Sequence, residues 1–159
     1  MRTLRNLLLA SMLVTGVASA QSKTDLTGAW RVTEYITNGP GGSTNSNPQP
    51  GLFLFTEKHY SFVRDFATTP RPDLDLSKAS DAEVGAVLRV VAAQAGTYEI
   101  SGGTLTLRPI VAMNPRRTHP GTSATLSFKL EGNTLVLTQK GNEQGPAANP
   151  MMTKLTRVE

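Results

Sequence analysis

The sequence predicts an all-β fold: an antiparallel up-and-down barrel of about eight strands with one inserted amphipathic helix. Three observations predict it. Short segments alternate between apolar and polar residues, and turns rich in Gly, Pro and Asn separate them. The second half of the chain then holds two look-alike hairpins, YEISGGTLTL and FKLEGNTLVL. Antiparallel neighbours in that number can form a sandwich or curl into a barrel. Closure is the favoured reading because it removes exposed sheet edges and encloses space for one small ligand.

In chain order, residues 1–20 read as a secretory signal peptide. Arg2 and Arg5 precede an apolar run at residues 7–17 (LLLASMLVTGV), and Ala18-Ser19-Ala20 forms a small-x-small site before Gln21. The run is shorter than the roughly 20 apolar residues that a membrane-spanning helix needs. The expectation is a soluble mature protein at residues 21–159, exported to the periplasm or secreted. The first strand then spans residues 29–37 (AWRVTEYIT), and residues 38–50 (NGPGGSTNSNPQP) form a long loop. Residues 51–56 and 60–66 make a hairpin. Residues 68–76 (TTPRPDLDL) are a Pro-interrupted connection.

Ser80 and Glu83 have capping-box spacing, and Val84, Val87, Leu88 and Val91 follow at helical intervals, which predicts a helix over residues 81–93 ending near Gly96. Strands at 97–101 and 104–108 flank Gly102-Gly103, and strands at 124–131 and 134–140 flank Gly132-Asn133. Such two-residue turns need positive φ, which Gly and Asn tolerate. The loop at 113–121 (MNPRRTHPG) separates the hairpins, residues 141–150 form a last loop, and residues 151–158 form a closing strand.

Composition excludes several functions. The chain has 159 residues, suited to one domain, and its 38% apolar fraction supports a modest core. It has no Cys, which removes disulfides, thiolate metal sites and thiol nucleophiles. Its two histidines lie in unrelated segments, so no metal centre and no cofactor is expected. Both leader charges are arginine, so cleavage lowers the net charge from +4 to +2. The remaining basic residues are scattered apart from Arg116-Arg117, without the aromatic interleaving of a nucleic-acid surface, and no nucleic-acid partner is expected. No nucleophile elbow, P-loop, dinucleotide fingerprint or zinc-protease helix is present.

At residues 25–31 (DLTGAWR), Gly28-Ala29-Trp30 at the head of the first strand resembles the Gly-x-Trp signature of lipocalins. With WRVTEY, GLFLFTEKHYSFVRD and the repeated hairpins, the mature chain resembles bacterial lipocalin-like domain proteins, which are calycin-type barrels of largely unknown role. The resemblance implies that Trp30 plugs one end of the barrel and that Arg157, in LTRVE, packs over its ring. The chain departs from the classical pattern: it has no disulfide and no large C-terminal helix, and its helix falls between the third and fourth strands.

The expected function is binding of a small apolar or amphipathic molecule in the barrel interior, lined by residues such as Phe62, Leu107, Phe128 and Leu137. Both parities of residues 52–55 are apolar, so the inward pair is open. Trp30, Val32, Glu34 and Ile36 share one parity, and Tyr60, Phe62, Arg64 and Phe66 share another. This places Glu34 and Arg64 inside as a facing ion pair that orients a polar head, with Tyr60, Phe62 and Phe66 around it. His119, beside two arginines in a loop, is a candidate for an anionic group at the mouth. Two alternatives stay open: a small barrel enzyme acting on an apolar substrate, or an interaction module using the loops at 38–50, 68–76 and 113–121.

Overall fold

A computed structural model describes residues 23–158. The expected signal peptide, residues 1–20, lies outside the described residues. The described residues form a closed, eight-stranded antiparallel barrel with one longer helix inserted midway.

A single helical turn, α1 (Lys23–Leu26), leads into β1 (Gly28–Thr37). The wall continues through β3 (Gly51–Phe55), β4 (His59–Asp65), β5 (Val91–Ser101), β6 (Thr104–Ala112), β7 (Ala124–Glu131), β8 (Thr134–Asn142) and β10 (Met151–Arg157). Each pairs with the next, and β10 closes the ring by pairing with both β8 and β1. Two short strands, β2 (Ser43–Asn45) and β9 (Gly145–Pro146), extend the edges of β1 and β8.

The antiparallel order sorts the connections by length. At one end lie the turn between β3 and β4 and the two-residue turns Gly102-Gly103 and Gly132-Asn133. Gly102 and Gly103 both take positive φ, whereas in the second turn Gly132 alone does. At the other end lie the long connections at residues 38–50, 66–90, 113–123 and 143–150. We refer to these as the closed end and the open end.

The interior face follows the two-residue period of the strands. In β3, Phe53 and Phe55 are 3% and 2% exposed, whereas Leu52 and Leu54 are 41% and 43% exposed. This settles the parity that the sequence left open. Packing is tightest at the closed end, where Leu26, Trp30, Tyr98, Leu105, Leu135 and Leu155 are almost wholly buried. Gly28 enters β1 at a φ of 134°, a conformation that a residue with a Cβ rarely adopts. Two residues on, the Trp30 indole N–H donates to the Leu26 carbonyl at 2.8 Å. The Arg157 guanidinium lies 4.1 Å over the Trp30 ring and donates to the carbonyls of Thr27 and Asp25, each at 2.6 Å. Plug, cover and entry turn are thus one hydrogen-bonded unit.

The inserted helix, α2 (Asp81–Arg89), carries the expected capping box: the Ser80 side chain accepts from the Glu83 N–H, and the Glu83 carboxylate accepts from the Ser80 N–H. It ends earlier than its periodicity suggests. Val91 pairs with Asp65 and Ala93 with Val63, so residues 91–96 belong to β5. The apolar spacing of Val84, Val87, Leu88 and Val91 fits one face of a helix, but pairing along the whole length of β4 outweighs the helical propensity of the alanines. β6 likewise runs beyond Arg108 to Ala112. Among the described residues, no helix is long and apolar enough to cross a membrane.

Candidate functional site

The barrel interior holds a cavity of about 560 Å³ that opens at the end opposite Trp30. Seven of the eight wall strands contribute to its lining. Phe53, Phe62, Leu107, Leu126 and Leu137 form the apolar walls, and Gln94, Gln139 and Thr153 add uncharged polar groups. Leu88 and Arg89 of α2, with Asn114 and Arg117 of the loop between β6 and β7, stand at the rim. The space exists because small side chains sit where larger ones would fill it. Ala92 and Ala93 on β5, Ala112 on β6 and Ala124 on β7 all face it. The volume falls within the roughly 300–1,000 Å³ typical of small-molecule sites.

Arg64 is the cation set into this wall. Its guanidinium carbon lies 4.5 Å from the Phe62 ring centroid, 4.8 Å from that of Phe66 and 5.5 Å from that of Phe53. Three aromatic faces therefore surround it, each such contact worth on the order of 0.5–2 kcal/mol. Stacking does not satisfy the in-plane N–H groups. Among the described residues, Arg64 makes no ion pair, and its buried Nε has no hydrogen-bond partner. Burial pulls the Arg64 pKa down to about 10; the nearby Tyr35 phenol opposes this drop, and the positive Arg117 adds to it. At neutral pH the group still carries its charge.

The one other buried side-chain polar atom without a partner, among the described residues, is the Tyr35 hydroxyl. The Tyr35 ring packs 5.1 Å from Phe66, and burial raises its phenol pKa. Gly51, the register partner of Arg64, makes this fit: a Cβ there would lie 3.3 Å from the Tyr35 oxygen and 2.8 Å from a Val32 methyl.

Tyr35 occupies the interior place that strand parity assigns to Glu34, and this is a correction. β1 carries a bulge between Val32 and Glu34 in its pairing with β10. The extra residue reverses the alternation, so Trp30, Val32 and then Tyr35 are buried, while Glu34 is half-buried. Glu34 does not line the cavity, and no ion pair joins it to Arg64. The neighbouring acid is committed elsewhere too. Asp65 binds the Arg71 Nε at 2.6 Å and accepts from the Ala67 N–H at 2.8 Å.

The remaining expected residues divide. Phe62, Arg64 and Phe66 all line the cavity. Tyr60 is buried beneath it, its hydroxyl accepting from the lining residue Gln94 at 2.8 Å; burial pushes its pKa up to about 12. His119 is exposed at the end of a short 3-10 turn (Pro115–Thr118) and does not line the cavity; from the same loop Arg117 does. The turn places Arg117 at the cavity and leaves His119 in solvent. Arg89, Gln94 and Gln139 carried no sequence signal of their own. Their places follow from where α2 stops and where β5 and β8 run. Among the described residues, no cluster of His, Asp and Glu is placed to hold a metal ion.

Compared with known proteins, the chain matches no protein-family model, and no curated protein matches it.

Proposed function

We propose that this is an exported binding protein of the bacterial lipocalin-like type, which holds a small apolar or amphipathic molecule inside its barrel. The observation that carries this reading is the open-ended cavity of about 560 Å³, apolar-walled and kept open by alanines on three strands. Burying an apolar ligand there gains roughly 25 cal/mol per Å² of surface removed from water. The wall is a hydrogen-bonded ring, so little ordering is needed on binding. Export rests on the leader pattern at residues 1–20.

The test is titration of the mature protein with Nile red, a neutral apolar dye. The reading expects saturable, blue-shifted emission at one dye per chain, lost in Ala124→Trp, which fills the mouth. Native mass spectrometry of protein purified from its own host then shows a co-purified small molecule. Equal dye binding by wild type and Ala124→Trp contradicts the interior site. N-terminal sequencing of the exported form, expected to begin at Gln21, tests the leader.

A further inference from the structure

The wall of the cavity is one-sided in charge. Arg64 sits within it and Arg89 and Arg117 at its rim, while no Asp or Glu side chain lines it among the described residues. The acids that could neutralise Arg64 are turned away: the β1 bulge displaces Glu34, and Arg71 holds Asp65. The rings of Phe53, Phe62 and Phe66 crowd around the Arg64 guanidinium, which leaves its in-plane N–H groups as the bonding edge. The Arg64 Nε is buried and without a partner, so the donors open to a ligand are the terminal nitrogens of this half-buried side chain. A half-buried cation with no anionic partner is partly desolvated without compensation, and a single well-placed anion offsets that cost.

From this we propose that the cavity selects an amphiphile with an oxyanion head, a carboxylate or a phosphate ester, which bonds the Arg64 guanidinium edge while its apolar chain lies against Phe53, Phe62 and Leu137. The inference rests on the interior-binding reading above. A guanidinium fork matches the paired oxygens of such a head, and its charge-assisted bonds are about twice as strong as neutral ones. A neutral head leaves the cation uncompensated, and an ammonium head meets three like charges. Arg89 and Arg117, at the mouth, raise the local concentration of anions and guide entry.

The test is displacement of Nile red by ligands of one chain length: hexadecanoate, hexadecyl phosphate, hexadecanol and hexadecylamine, each below its aggregation threshold. In wild type, at least one of the two anions should displace the dye at a concentration about tenfold or more below that of hexadecanol, with the amine weakest. The carboxylate and phosphate arms show which head is preferred. Arg64→Met should keep Nile red and hexadecanol binding and erase the advantage of the anion. Arg64→Lys, which keeps the charge and loses the fork, should retain part of it. Equal displacement by anion and alcohol in wild type overturns the proposal and leaves interior binding standing, as does an anion preference that survives in Arg64→Met. If wild type binds no Nile red at all, the interior reading fails and this inference fails with it. The wild-type series decides the matter even if the Arg64 variants fold poorly.

Discussion

The two ends of the barrel are built from the same strands and solve opposite problems. At the closed end the polar groups of the plug and its cover have specific partners: the Trp30 N–H bonds the Leu26 carbonyl, and the Arg157 guanidinium bonds two backbone carbonyls as it covers the indole. At the open end Arg64 is also stacked on aromatic rings, yet its Nε has no partner. Two arginines thus meet the same kind of surface, and they differ in whether their N–H groups are used. The difference teaches where each end directs its binding capacity. Arg157 bonds its own chain and stabilises the fold, whereas Arg64 has no such bonds, which is the basis of the ligand role proposed for it.

Substitutions that separate stability from binding break or sharpen that contrast. The largest effect is expected for Trp30→Ala, which removes the plug: roughly 3–5 kcal/mol lost in denaturant unfolding. Wild-type Trp30, wholly buried, should emit at short wavelength, and a water-like spectrum contradicts the plug. Arg157→Met keeps an apolar cover but gives up two charge-assisted bonds, for an expected loss of about 1–3 kcal/mol in the same assay. Arg64→Met should leave stability within about 1 kcal/mol of wild type or raise it. The aromatic contacts it gives up are offset by removing a partly desolvated charge that has no anionic partner, and Met keeps apolar packing on the same rings. A loss as large as that of Arg157→Met erases the distinction between the ends.

The smallest effect concerns the α2 cap. The bonds from Ser80 hold the Glu83 carboxyl below its usual range, so their contribution is present above about pH 4.5 and is lost as pH falls through the lowered value. Hydrogen-exchange protection of α2 should therefore fall with acidification in wild type and be weak and less pH-dependent in Ser80→Ala. The barrel strands should not follow it.

Most of the closed end was legible in the sequence, because it is made of local signals. Gly28-Ala29-Trp30 marks the entry, glycine turns fix the hairpins, and clean alternation in residues 104–108 and 134–138 puts Leu105 and Leu135 inside there, with Leu107 and Leu137 inside further along in the cavity wall. The open end was legible only in part. Phe62, Arg64 and Phe66 were found by parity, but Glu34 was placed inside because a bulge has no composition of its own, and one inserted residue reverses every later side chain. Val87, Leu88 and Val91 are compatible with one helix face, so the change from α2 to β5 at residue 90 is decided by pairing with β4. Ala92 and Ala93, which read as helix formers, are strand residues whose small size helps make the cavity. The turn that brings in Arg117 and leaves His119 outside depends on local backbone geometry that spacing does not reveal.

The central claim is that the open end takes a ligand into the interior while the closed end stays as it is. An amide NMR titration of the mature protein with hexadecanoate tests it most directly. The account predicts saturable shifts confined to the mouth and its walls, among them Gln94, Ala112, Ala124 and Gln139, with Trp30, Leu105 and Leu135 unmoved. Shifts centred instead on the exposed outer face at Leu52, Leu54 and Val63, or spread evenly through the closed end, would contradict it.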